Sequence, residues 1–178
     1  IENVERGCGG YVCFSNVHTV VMARQDIELR RATNNSFMSV PDGRPLMLLA
    51  RLRGLSDVGH VPGPSFMPHV FGEYKTIKHY FYGASPDTLT RLTAALQQRY
   101  PESIIVGHYS PPYRDLTAEE DAAAIAAINA CGPDVVWVGL GAPKQERWMA
   151  KHWEDLRPAT LLGVGAAFDI TAGVVRRA

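Results

Sequence analysis

The sequence predicts an α/β fold, a doubly wound, mostly parallel sheet of about six strands with helices on both faces. Three observations predict it. Short β-type runs alternate along the chain with longer runs of helical spacing. One of the strands, VVWVG at 135–139, is an unbroken apolar run, as a strand buried on both faces is. The strands are separated by segments that can carry a helix, and right-handed crossovers between parallel strands then wind the chain over both faces.

The elements follow in order. YVCFS (11–15) reads as the first strand, and NVHTVVMARQDIELRRA after it has helical spacing. FMSV (37–40) is a strand that Pro41-Asp42-Gly43 turns. Pro45 to Leu52 reads as a helix with Gly54 as its stop. KHYFYG (78–83) is a strand, and Ser85-Pro86 opens a helix in which Leu89, Leu92 and Leu96 share one face. SIIVG (103–107) is a strand. Thr117 and Glu120 then form a capping box ahead of an alanine-rich helix that Gly132 closes. VVWVG and TLLGVG (160–165) complete the set. The stretch 51–75 is too long for a simple connection and reads as a functional loop or a short helix.

Composition narrows the function. The chain has 178 residues, 46% hydrophobic and 20% charged, which suits one globular domain over 1–178. Lys+Arg and Asp+Glu balance at 18 each, which argues against a general nucleic-acid binder. Cys8, Cys13 and Cys131 have neither zinc spacing nor an even count, and Cys13 in a strand reads as a buried thiol. This cysteine usage suits the cytosol. No apolar run approaches the roughly 20 residues that span a bilayer. The chain opens at Ile1 without methionine and stops at Ala178 after Arg176-Arg177, so both ends read as cut.

Ligands of such sheets bind at the carboxyl ends of the strands, and that is where chemistry is sought. In GLGAPKQERWMAKH (139–152), Gly139 and Gly141 allow a tight turn close to a ligand, and Pro143 suits a first helical turn. Lys144 there opposes the helix dipole, which an anionic ligand would reconcile; without one it is a surface lysine. Gln145 and Glu146 suit sugar hydroxyls or a base edge, or else solvate a helix. Asp42 follows a strand and could take a proton from a hydroxyl, although Pro-Asp-Gly is also an ordinary turn. Asp169 in AAFDITAG is a second carboxylate whose plain role is to cap the last helix. Trp148, Met149 and Trp153 read as packing, and His18 as a polar helix-face residue. Neither G-x-G-x-x-G nor G-x-x-x-x-G-K-[ST] nor H-E-x-x-H occurs, and no D-x-D is present to hold a metal on a diphosphate.

Together these stretches resemble the WecG/TagA/CpsF glycosyltransferases. GLGAPKQERWMAKH with GVGAAFDITAGVVRRA carries the resemblance most specifically. YVCFSNVHTVVMAR, PDG, VPGPSFM, FYGAS and YPESIIVGHYSPPY fall in the family's order, so nearly the whole chain is covered. The resemblance implies a Rossmann-like fold. It also implies transfer of a sugar, often N-acetylmannosamine, from a UDP-sugar to an undecaprenyl-diphosphate-linked sugar. That reaction is inverting and metal-independent, uses no cofactor, and takes place at the cytoplasmic membrane's inner face. It makes precursors of cell-wall or exopolysaccharide polymers. By position, Asp42 is implied as the general base, and Gln145 and Asn16 as polar active-site residues. The Gly139–Glu146 turn with Phe168 and Asp169 is implied to line the UDP cleft.

The sequence departs from the family in places. Phe14 stands where a threonine is frequent, and His60 where an arginine is frequent. The family's basic C-terminal tail, implicated in membrane contact, is missing from this sequence. A homo-oligomer is one state the sequence allows. The alternative function is a non-catalytic Rossmann-like nucleotide-binding module.

Overall fold

The computed structural model describes residues 8–176. Six strands form one all-parallel sheet in the order β2-β1-β6-β5-β3-β4. In chain order the elements are β1 (Gly10–Ser15), α1 (Val17–Gln25), α2 (Ile27–Asn34), β2 (Met38–Pro41), α3 (Arg44–Leu52), α4 (Gly63–Glu73) and β3 (Lys78–Gly83). There follow α5 (Pro86–Arg99), β4 (Ile104–Tyr109), α6 (Ala118–Cys131), β5 (Val135–Gly139), α7 (Lys144–His152), β6 (Thr160–Gly163) and α8 (Ala167–Thr171). The expected "mostly parallel" sheet is thus wholly parallel across these strands. The first and last residues, Ile1 and Ala178, lie outside the described residues, as does Arg177.

Strand alternation builds two apolar layers. Phe14, Phe81, Trp137 and Leu162 point to one face, where α4, α5 and α8 cover them with Phe71, Leu92 and Phe168. Tyr11, Cys13, Tyr82 and Val138 point to the other, under Ile125 and Ile128 of α6 and Met149 of α7. The Tyr11 hydroxyl donates to the carbonyl of Ala32 in α2 at 2.6 Å, which ties that helix to the second face. Met149, Trp148 and Trp153 pack as expected: Met149 is buried, Trp148 stacks on Tyr82 and Trp153 tilts against Tyr11.

Local chemistry sets most boundaries. Ser85 and Thr117 each accept from the N–H three residues on, and Glu120 returns the bond to Thr117, completing the expected capping box. Gly132 ends α6 in the left-handed region. The long helical run after β1 breaks in two, because the Asp26 carboxylate accepts from Leu29 N–H at 2.9 Å and starts α2 afresh. The unassigned stretch 51–75 holds α4. Pro68 lies inside that helix, yet Met67, Val70 and Phe71 anchor it in the core.

Candidate functional site

Adjacent strands β1 and β6 send their following segments to opposite faces, and so do β1 and β2. The carboxyl ends therefore open into a crevice. A cavity of about 500 Å³ occupies it. It gathers Asn16 from the end of β1, Asp42 from β2, Gly141 and Gln145 from after β5, Gly165 from after β6, and His60 from the segment before α4. A larger hollow of about 620 Å³ lies beside α6, away from these strand ends and lined in part by Ala118, Ala122 and Ala126.

Asp42 is held from several sides. Its own N–H donates to the Ser15 carbonyl at 2.8 Å, tying the β2 end to β1. Its Oδ1 accepts from Gly63 N–H at 2.8 Å, at the first turn of α4. Oδ2 has no partner among the described residues, so one carboxylate oxygen is left to work in the cavity. His60 Nε2 lies 3.1 Å from the Asp42 carbonyl oxygen. A carbonyl can only accept, so Nε2 carries the hydrogen and Nδ1 is the ring atom left to meet a ligand. A hydrogen bond from this ring to a phosphate, such as an arginine at this position could make, would therefore need a second proton, on Nδ1.

Asn16 serves the fold and the site together. Its Oδ1 accepts from Thr19 N–H at 3.0 Å, and Thr19 Oγ1 accepts from Asn16 N–H at 2.9 Å, a reciprocal cap on α1. The amide nitrogen of its side chain has no partner among the described residues, and the residue lines the cavity. His18, in the first turn of the same helix, sits at the rim. It is exposed on the face of that helix, in keeping with its reading as a polar helix-face residue, and it also borders the cavity.

Gln145 is 4% exposed, and its amide is fixed by its neighbours. Nε2 donates to the Gly163 carbonyl at 2.9 Å and to Glu146 Oε1 at 3.1 Å. Both partners are acceptors, so the nitrogen must face them and Oε1 must face away. That oxygen is buried, unpartnered and beside Gly165 in the cavity wall. It is an acceptor that no donor among the described residues satisfies.

The remaining predicted residues stand elsewhere. Lys144 opens α7 exposed to solvent and lines a neighbouring cavity of about 390 Å³ with Leu140, Arg147 and Trp148. Pro143 is the residue before α7 rather than in its first turn. Glu146 is 2% exposed and supports Gln145 from behind; burial raises its carboxyl above the ordinary range. Phe168 is core, edge-on to Phe81 at 5.5 Å. A Cβ on Gly139 would lie 2.6 Å from the Phe168 ring, so that glycine admits an aromatic ring rather than a ligand. Gly141 does turn the chain, at φ +76°, with open space where a side chain would project. Asp169 sits within α8, where Ala166 takes the cap position, and its Oδ1 accepts from Thr88 at 3.4 Å. Cys13 is buried as expected, and its thiol is pushed up to about 12 by burial and by Glu146, which favours the protonated form. Among the described residues no cluster of three His, Cys, Asp or Glu is placed to hold a metal ion, and no helix is long and apolar enough to cross a membrane.

Fold and cavity together define an open-sheet α/β protein of the class that takes its ligand at the carboxyl ends of parallel strands. The chain belongs to the glycosyl transferase WecG/TagA/CpsF family, whose model matches residues 1–178. It is similar to proteins of Staphylococcus aureus strains NCTC 8325 and COL, each named N-acetylglucosaminyldiphosphoundecaprenol N-acetyl-beta-D-mannosaminyltransferase. Each is 35% identical over 101 residues. The protein of the same name from strain MRSA252 matches to the same extent. The matched segment covers 57% of this chain and 38% of the length of each relative.

Proposed function

We propose that this chain is the core domain of a hexosyltransferase. It moves N-acetylmannosamine from a UDP-sugar to an undecaprenyl-diphosphate-linked sugar, in the synthesis of a cell-surface polymer. Membership of the family and the activity for which the relatives are named support the reaction class. The observation that carries the reading in this molecule is Asp42. One of its oxygens is fixed by Gly63 N–H, and the other is without a protein partner at the meeting point of the strand ends.

The step is an in-line displacement. Asp42 takes the proton from the acceptor hydroxyl as that oxygen bonds to the anomeric carbon. The bond from the anomeric carbon to the diphosphate oxygen breaks, UDP leaves with the electron pair, and configuration inverts. Gln145 Oε1 accepts from a hydroxyl or N–H of the donor, and the Asn16 amide donates to the acceptor or donor sugar. No metal or cofactor is required by this scheme. The protein works at the inner face of the cytoplasmic membrane, where the lipid-linked acceptor lies.

Asp42→Asn tests the base. The amide keeps an oxygen for Gly63 N–H, so the fold and UDP binding persist while kcat falls about 100-fold or more in a transfer assay with a UDP-sugar and a lipid-linked acceptor. Unchanged turnover would remove Asp42 from this role.

A further inference from the structure

α3 begins with Arg44, two residues after Asp42, and none of its residues is buried. A helix of a folded protein ordinarily hides one face in the core. Here the inward residues Leu46, Met47 and Ala50 are only half covered, while Leu48 and Leu49 are each 54% exposed and Leu52 82%. With Pro45 these leucines fall within one arc of about 100° on a 3.6-residue wheel. Leu55, 57% exposed, extends the apolar strip beyond the helix end. Isolated exposed leucines are ordinary, but a contiguous strip rimmed by polar groups marks a contact surface.

Along the helix the rim is of one sign. Arg44 and Arg51 border the arc on one side and Arg53 on the other, and no acidic residue occurs from Gly43 to Ser56. A second copy meeting this face through a two-fold axis would bring no acidic residue of that face to the arginines. An anionic lipid surface meets both needs: leucines enter the acyl boundary while arginines reach up to the headgroups.

We infer that the outward face of α3 is a docking surface for an anionic bilayer, holding the Asp42 cavity at headgroup level where a lipid-linked sugar presents its hydroxyl. The inference rests on the proposed function for its purpose but not for its measurement. The face itself needs neither nucleotide nor acceptor to bind.

The test is flotation or co-sedimentation of the 178-residue chain with vesicles of phosphatidylcholine alone or mixed with phosphatidylglycerol. Calorimetric UDP titration of the same samples runs in parallel. The chain should bind the anionic vesicles, and more weakly at higher salt. Leu48→Asp with Leu52→Asp should lower partitioning about tenfold or more, since two exposed leucines lose their apolar burial. Far-UV circular dichroism and UDP binding should not change, because neither leucine packs in the core. Arg51→Glu with Arg53→Glu should remove the preference for anionic lipid. Absent vesicle binding, or binding that the leucine variants leave intact, would overturn the docking surface. So would a concentration-dependent dimer that those variants dissolve without any vesicle binding. Loss of UDP binding in the unaltered chain would strike the proposed function instead, and leave the docking result standing.

Discussion

Gln145 and Glu146 are neighbours in sequence that do different work. The first offers its oxygen to the cavity; the second fixes the amide that makes this so. The sequence placed both in the site, and nothing in the order Gln-Glu says which faces a ligand. That distinction depends on the Gly163 carbonyl, which tertiary packing brings against Gln145. Burial also makes Glu146 a titration element. Its native carboxyl binds a proton more tightly than the unfolded chain does, so its contribution is present below the ordinary carboxyl value of 4.5 and lost as pH rises through the raised native value. His79 acts in the opposite sense. It is fully buried, stacked on Phe71 at 3.9 Å, and its Nδ1 accepts from Trp137. Burial lowers its pKa from 6.5 to about 4, so the unfolded chain takes up a proton first on acidification. Stability from His79 is full above 6.5 and lost as pH falls toward 4, by about 3 kcal/mol at most. His79→Gln keeps an acceptor for Trp137 and should flatten the acid limb in urea melts. Glu146→Gln should flatten the opposing slope that begins at 4.5. An unaltered pH profile in either variant would contradict its assignment.

At the scale of elements, boundaries were legible where side chains write them. Ser85, Thr117 with Glu120, and Gly132 mark helix ends through single hydrogen bonds or one backbone angle, and each stands where expected. α4 was not legible, because Pro68 and the glycines around it argue locally against a helix that the core then enforces through Met67, Val70 and Phe71. The turn after β5 was read half correctly. Gly141 supplies the left-handed turn, whereas Gly139 makes room for Phe168, a long-range contact no local pattern reveals. The two glycines should therefore respond differently. Gly139→Ala must displace the Phe168 ring and should cost about 1–3 kcal/mol in chemical unfolding. It should also weaken ligand binding, because Phe168 lies two residues beyond cavity-lining Ala166. Gly141→Ala meets open space and pays mainly for its φ of +76°, about 1 kcal/mol. Equal losses in the two variants would contradict the packing role of Gly139.

At the scale of the molecule, the strand order decides which candidates meet. Asn16, Asp42, His60 and Gln145 come from four separate stretches of sequence and converge because β2, β1, β6 and β5 are neighbours in the sheet. Asn16, Asp42 and Gln145 each follow a strand that is legible in the sequence, but the order of strands was not readable there. Lys144 shows the consequence. It adjoins Gln145 in the chain and yet faces the other cavity, since successive residues of a helix point about 100° apart. We therefore propose that the leaving nucleotide is recognised in the crevice lined by Asp42 and Gln145, without the Lys144 charge. Calorimetric titration of the purified chain with UDP, ADP and NAD in the presence of EDTA tests this most directly, alongside Gln145→Ala and Lys144→Ala. The account predicts selective UDP binding without metal, weakened by Gln145→Ala and nearly unchanged by Lys144→Ala. Equal affinity for the three nucleotides, or loss of UDP binding on removing Lys144 but not Gln145, would contradict it.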